Sequence, residues 1–407
     1  MRVLFAVPDY RRLWVIGAAV GLARWLEFLA LGVFAYEVTK SPPLVALVAI
    51  VRMLPYILLG VAVGALADYF DRRRMLVIGY AAAFAASAVL ALVAAFGMAG
   101  YGVVLLYSAL SGFVWTTDMP LRRQLMVDKV GSQHITAATS LDSSTMFVMR
   151  TLGPLLGGVF YQWSGITGIF FIGTFGYLVC ALLSARIEAA PQPVTSAPAP
   201  SRPSPFRMLL PPIELLRNRP LMIVLGITVV FNVWGFPALT MVPVIGEREF
   251  GLSPTAIGAL SACEGIGGTL GALLIAMTAG QRSLIPLYYF GVLSFLGILL
   301  GLSAWLVLGS VVVGLLLLGA ASAAFAASQY ALVYMLSPPE MRGRASGFLA
   351  IFIGTSTIGF YNTGRLFDHY TTVEALRVMG LQGLVALLVL GILWLWAKPP
   401  KQSASGS

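Results

Sequence analysis

Apolar runs of span length, each closed by a knot of charge, proline or glycine, recur along the whole chain. The unbroken Leu/Ala/Val/Gly runs lack the alternation of a transmembrane β-strand. They suit helices, which satisfy their backbone hydrogen bonds internally, as lipid demands. Since about 20 predominantly apolar residues cross a bilayer as helix, the pattern predicts twelve spans. They fall near residues 13–37, 43–68, 75–97, 101–121, 135–161, 166–186, 220–245, 254–278, 284–302, 306–332, 344–366 and 374–397. Between the sixth and seventh runs RIEAAPQPVTSAPAPSRPSPFRMLLPPIELLRNRP, a Pro/Ala/Ser-rich stretch that cannot bury a core and reads as an extended linker. The expected organisation is a six-helix bundle over 1–186, a cytoplasmic linker over 187–219, a second six-helix bundle over 220–397 and a cytoplasmic tail over 398–407.

Composition agrees with a membrane protein. The 407 residues are 59% hydrophobic and only 10% charged, with a mean hydropathy of +0.89. A soluble domain carries about a quarter charged residues, so this chain has too few to coat a surface facing water. The formal net charge of +10 is uneven along the chain. With the N-terminus inside, the cytoplasmic segments hold Arg2, Arg11, Arg12, Arg72, Arg73, Arg74, Arg122, Arg123, Lys129, the linker arginines, Arg282, Arg342, Arg344, Lys398 and Lys401. The opposite side holds only Lys40, Arg248 and Arg377. This bias sets the orientation. It makes anionic headgroups of membrane lipids a sufficient partner for the basic charge and removes the need for nucleic acid. Cys180 and Cys263 both lie in apolar runs, and His134 and His369 lie near helix ends, so no metal site and no cofactor are expected. Residues Val3 to Arg12 are too short and too charged for a cleavable signal peptide.

The halves look related. GALAD at 64–68 and GALLI at 271–275 each end the second helix of their half, and LGPLLGGVFYQ (152–162) lies opposite IGFYNTGRLFD (358–368). The second match sets Gly153 over Gly359 and Gly158 over Gly364. Internal duplication of this kind is a mark of transporters whose substrate site lies near the midplane between repeats.

GALADYFDRRR, residues 64–74, resembles the loop signature of the major facilitator superfamily, Gly-x-Leu-Ala-Asp-Arg-x-Gly-Arg-Arg/Lys. Gly64, Leu66, Ala67, Asp68, Arg72 and Arg73 match, while Tyr69 and Asp71 replace the usual Arg and Gly. PDYRRLW (8–14) and the stretch from Met119 through Gly158 resemble the subgroup of enterobactin exporters and multidrug efflux proteins, which are drug:proton antiporters. The resemblance implies an all-α membrane protein of two pseudo-symmetric six-helix bundles, working by alternating access. It also implies that the loop latches one conformation. In that latch Asp68 sits near the N-terminus of helix eleven, joined by Arg344, and Arg72 pairs with Asp118.

Ionisable residues at bilayer depth cost a few kcal/mol, face the bundle interior and mark function. Those placed deep are Arg24 and Glu27 in helix one, Arg52 in helix two, Asp142 and Arg150 in helix five, and Glu264 in helix eight. Arg24 and Glu27, three apart, share a helix face, and Glu27 is about level with Arg52. Two readings stand: a structural network of Arg24, Glu27 and Arg52, or Glu27 as a proton or substrate carrier. Glu264, in SACEGIGGTLGAL, has no basic residue within a helical turn and is the leading candidate for proton coupling, unless another helix supplies a partner. Arg150 is either an anion ligand or a packing residue. Asn232, Trp234, Gln329, Tyr361 and Asn362, with Trp25, Tyr56 and Trp115, are candidates to complete a cavity for a large amphipathic ligand.

The expected protein is a secondary active transporter, exporting drugs or siderophore-like compounds in exchange for protons across a bacterial inner membrane, and acting as a monomer. No Gly-x-x-x-x-Gly-Lys-Ser/Thr loop for ATP occurs, and no nucleophile–base set points to an enzyme. A lysophospholipid flippase, a metal-ion exporter and, from another class, a transport-inactive membrane receptor or scaffold are the alternatives.

Overall fold

The computed structural model describes residues 2–66, 70–131, 134–188, 213–278, 284–338 and 341–396, all helix and turn, with no strand among them. After a short turn of helix at Arg2–Ala6 come α1 (Pro8–Thr39), α2 (Pro42–Leu66), α3 (Arg72–Val93, prolonged by a π-helical turn over Ala94–Met98) and α4 (Tyr101–Val130). The continuous stretch Ile135–Ala185 comprises α5 (135–164) and α6 (166–185). The second half holds α7 (Arg219–Phe250), α8 (Pro254–Thr278), α9 (Leu284–Ala304), α10 (Leu308–Leu336), α11 (Arg342–Gly354 then Ser356–His369) and α12 (Thr372–Trp396). Nine described helical segments are long and apolar enough to span, one of them being α5 and α6 together, and the more polar α4 and α11 complete the twelve.

Local chemistry sets the helix ends. Pro8 opens α1 with Asp9 in the first turn, where the positive end of the helix favours an acid, and the helix begins earlier than its apolar run. Asp71, which departs from the loop signature, caps α3 by accepting from the backbone N–H of Arg73 at 2.9 Å and Arg74 at 3.4 Å. Gly165 separates α5 from α6 at φ 60°, ψ −163°, a backbone region open essentially to glycine alone. The largest departure is α4. It continues past Pro120 to Val130, so Arg122 and Arg123 lie in the helix and not in a loop.

The pseudo-symmetry shows in the glycines that the two matched stretches align. A Cβ on Gly153 would lie 2.4 Å from the Cβ of Trp25 on α1, and one on Gly359 would lie 2.4 Å from the carbonyl oxygen of Asn232 on α7. Each glycine thus seats a fifth helix on the first helix of its own half. Gly158 would meet the Pro254 carbonyl of α8 at 2.4 Å, and Gly364 would meet Ala46 Cβ of α2 at 2.8 Å. Each of these seats a fifth helix on the second helix of the other half. Small residues let helix backbones approach closely in lipid, where burial of apolar surface between helices brings no gain.

Helix α7 is continuous but irregular. An α-helical arm (Arg219–Val230) passes into a π turn (Phe231–Gly235), a 3₁₀ stretch (Phe236–Met241) and a second α arm (Val242–Phe250). Such mid-helix changes of winding concentrate at functional positions.

Gly158→Ala is expected to destabilise the protein by about 1–3 kcal/mol, the usual cost of overpacking, because its new methyl meets backbone across the interface of the halves. Gly297→Ala on α9, with nothing within 4 Å of the added atom, serves as the control. Thermal unfolding in detergent checks both; equal unfolding temperatures for the two variants would contradict the packing described.

Candidate functional site

Between the halves lies a cavity, part of it open to solvent, whose walls include Trp25 and Phe28 of α1, Arg52 of α2, Arg150 of α5, Phe236 of α7 and Glu264 of α8. Arg150 and Glu264 meet across it. Arg150 Nε donates to Glu264 Oε2 at 2.7 Å and Nη2 donates to Oε1 at 2.5 Å. Both residues lie near mid-helix, so the bond is a two-point, charge-assisted bridge at membrane depth. Glycine makes it possible: a Cβ on Gly265 would lie 2.7 Å from the Arg150 carbonyl oxygen and from Thr151 Cα, so α5 and α8 touch beside the acid. Of the two readings of Glu264, the one found is a basic partner on another helix. Its partner comes from the other half of the chain, which spacing along α8 does not reveal.

Beside this bridge runs a stack of rings and guanidinium groups. Tyr56 stacks on Trp115 with centroids 5.5 Å apart and planes 17° from parallel. Arg24 lies 3.5 Å from the Trp115 centroid and 5.2 Å from that of Trp25, and Arg150 lies 4.9 Å from Trp25 on the cavity wall. Arg52 lies 5.8 Å from Phe28.

Glu27 points away from the cavity into the first half, where it is 1% exposed. It accepts from Ser111 at 2.5 Å, Tyr107 at 3.0 Å and Tyr177 at 3.2 Å, with Arg52 Nη2 at 3.8 Å. This favours the structural network, with one correction: Arg24 contributes only its backbone carbonyl, which accepts from Arg52 Nη2 at 2.8 Å. Its charge turns to the tryptophans.

At the far end of the cavity, at the α1–α2 turn, the halves are bridged again. Lys40 Nζ pairs with Glu247 of α7, and Gln162 Oε1 accepts from the Thr255 backbone N–H at 3.2 Å. Gly32 of α1 lies against Pro243 of α7 along the same seam.

The family described as "Transmembrane secretion effector" matches residues 4–405. The chain belongs to that family, within the major facilitator superfamily. It is similar to the staphyloferrin A transporter of Staphylococcus aureus (24% identical over 66% of this chain and 67% of the relative). It is also similar to the enterobactin exporter EntS of Salmonella choleraesuis (30% identical over 68% and 67%). Among solved structures it resembles a variant of the nucleoside transporter NupG at a TM-score of 0.72 and 15% identity, covering 95% of this chain and 99% of that one.

In this transporter the remaining sequence candidates separate from the cavity. Asp142 is not a midplane acid. It sits toward the linker end of α5, accepting from Arg122 Nη1 at 2.6 Å and Arg123 Nε at 3.0 Å. Arg122 is 1% exposed and also donates to Asp118 of its own helix at 3.1 Å, and Tyr80 donates to the same carboxylate. The expected Arg72–Asp118 pair is thus replaced. Arg72 pairs with Asp128 at 2.8 Å, and Arg73 Nη2 caps the end of α6 through the Ala185 carbonyl at 2.6 Å. The longer α4 explains the exchange, since it brings Arg122 within one turn of Asp118 and carries Asp128 out to the loop. Asp68 lies outside the described residues, and Gly64 and Arg344 are described only as backbone positions of α2 and α11.

In the second half, neutral groups occupy the interior. Asn232, in the π turn, donates to the Thr228 carbonyl at 2.9 Å. Gln329 donates to the Thr228 hydroxyl at 3.3 Å, which lies 2.7 Å from the Tyr288 hydroxyl. Both side chains support the bundle from outside the cavity wall. Trp234 turns to α12, donating to Gln382 Oε1 at 3.0 Å. Tyr361 is 62% exposed on the outside of the bundle, and Asn362 next to it is half-buried and away from the cavity. Residue type does not fix the face a side chain presents; helix phase and packing do.

Sequence reasoning missed Lys40–Glu247, the hydroxyl donors around Glu27 and the role of Arg122. Only the last had a readable signal, the i,i+4 spacing of Asp118 and Arg122. Removing one member of a buried ion cluster strands the others, at about 3–5 kcal/mol, whereas a half-exposed pair contributes about 0–1 kcal/mol. Arg122→Ala is therefore expected to lower thermal stability in detergent far more than Arg72→Ala; comparable losses would refute the assignment.

Proposed function

We propose that this transporter is a proton-coupled exporter of amphipathic, siderophore-like molecules, working by alternating access. Its cavity faces alternately the two sides of a bacterial inner membrane, with linker, N-terminus and C-terminus cytoplasmic and a single chain as the working unit. The observation that carries the reading is the Arg150–Glu264 bridge. It joins the halves at mid-membrane on the wall of the cavity, where it can report cargo and proton to both. The siderophore-related names of the relatives support the cargo class.

The chemistry follows from charge. A proton on Glu264 removes one side of the bridge and leaves Arg150 a bare cation in the cavity wall, which weakens the attachment between α5 and α8. Deprotonation restores it. A two-state equilibrium shifts by as much as the states differ in affinity for the proton, so a group that is bridged in one state and free in the other is suited to coupling. Glu27, caged away from the cavity, belongs on this reading to the fixed frame. Arg72 and Arg73, with Asp68 and Arg344, remain the proposed latch on the cytoplasmic side.

In proteoliposomes with an imposed pH gradient, Glu264→Gln is expected to lose at least tenfold of gradient-driven dye flux while remaining folded. Glu27→Gln is expected to lose thermal stability and to retain coupling in the fraction that folds. Wild-type gradient dependence in Glu264→Gln would remove Glu264 from the coupling role.

The far seam supplies a second test. Lys40→Cys with Glu247→Cys, joined by a short bis-methanethiosulfonate linker that replaces the reach of the two paired side chains, should lose flux, and reductant, which cleaves the linker's disulfides, should restore it. Full transport by the cross-linked protein would show that the Lys40–Glu247 seam does not open during the cycle.

A further inference from the structure

Five ionisable side chains lie near mid-helix at the centre of the molecule: Arg52, Arg150 and Glu264 on the cavity wall, Arg24 beside the wall residue Trp25, and Glu27 turned into the first half. Glu264 is taken up by both arms of Arg150. Glu27 is satisfied by three hydroxyls, with Arg52 at 3.8 Å. One positive charge is left over. Two of the cations also have unused donors. Arg24 makes no ion pair among the described residues; its guanidinium lies against Trp115 and Trp25. Arg52 is 2% exposed and lines the cavity, and its Nη1 has no hydrogen-bond partner, although Nη2 donates to the Arg24 carbonyl.

A buried cation without a counter-charge is costly at bilayer depth. Aromatic faces offset part of that, but a ring covers the plane of a guanidinium and leaves its N–H edges unused. An orphaned nitrogen on Arg52 adds the penalty of an unmade hydrogen bond. The missing partner is therefore an acceptor with negative charge. It must reach between α1 and α2 from the cavity, where Trp25 and Phe28 offer apolar surface beside the cations.

We propose that Arg24 and Arg52 form the binding site for an anionic oxygen group on the cargo, a carboxylate, phenolate or sulfonate, with the cargo's ring or chain lying against Trp25 and Phe28. The inference rests on the export reading for the presence of a cargo and narrows it to anionic amphiphiles, so cationic amphiphiles of equal size are excluded. Arg150 stays with Glu264 and is a second cation within reach when that bridge opens.

The test is direct binding to the purified, detergent-solubilised protein, using fluorescein and rhodamine 6G, which share a xanthene ring system and carry opposite charge. Fluorescein is expected to bind at least tenfold more tightly. Arg24→Met should abolish that preference and Arg24→Lys should restore most of it. Gel filtration of each variant verifies the fold, and the lysine variant separates charge from packing. Equal affinities for the two dyes, no fluorescein binding at millimolar concentration, or an unchanged preference in Arg24→Met would each overturn the site. Displacement of fluorescein by phosphatidylglycerol in mixed micelles at lower concentration than the dye itself would assign the cations to a lipid headgroup and overturn the cargo assignment. Flux in proteoliposomes is a separate readout. Charge-selective binding without flux leaves the site standing and counts against export, while flux of rhodamine 6G equal to fluorescein does the reverse.

Discussion

A guanidinium in the middle of a bilayer has to be matched by something, and in this molecule the matching of three arginines organises the centre. Arg150 takes Glu264 from the opposite half and ties α5 to α8. Arg52 takes Glu27 and ties α2 to α1 and, through the hydroxyls of Tyr107, Ser111 and Tyr177, to α4 and α6. Arg24 takes aromatic faces and, among the described residues, no acid. The first arrangement joins two bodies, the second stiffens one of them, and the third leaves charge for a ligand. A single constraint, the cost of desolvating an ion, thus yields an interface, a frame and a site.

The two halves share a helix plan but spend their polar residues differently. In the first, buried ion clusters bind the helices to one another: Glu27 with Arg52, and Asp118, Asp142 and Arg122 nearer the linker. In the second, Thr228, Tyr288, Gln329 and Asn232 do comparable work with neutral hydrogen bonds, around a helix α7 whose winding changes three times. A mid-helix stretch of 3₁₀ often marks a hinge. The second half carries Glu247 on the far arm of α7 and Glu264 on α8, so the two cross-half ion pairs among the described residues end on acids of that half.

Much of the architecture was legible because hydrocarbon is an unforgiving solvent. Helix count, the break between halves and the membrane class follow from the length and purity of apolar runs, and the family follows from a loop whose glycine, acid and arginines keep a fixed spacing. The aligned glycines of residues 152–162 and 358–368 also had a readable meaning, since both pairs sit at equivalent helix crossings. Helix ends were less legible. Proline and a first-turn acid start α1 early, and α4 runs on past Pro120 because Arg122 is drawn inside by Asp118 and Asp142.

The sequence alone determined most of the deep charges, because depth is counted along one helix. That count sets Arg24, Glu27, Arg52, Arg150 and Glu264 near mid-span, but it also sets Asp142 there, which in the structure sits toward the linker end of α5 beside Arg122 and Arg123. Which of them meet was decided by the tertiary structure, because partners are set by helix rotation and by crossings between residues far apart in the chain. Glu264 has no base on its own helix and finds Arg150 114 positions away. Glu27 and Arg24 are three residues apart, yet one turns inward to a cage of hydroxyls and the other to the tryptophans beside the cavity. Periodicity fixes the angle between two side chains on a helix; only packing decides what stands at each angle.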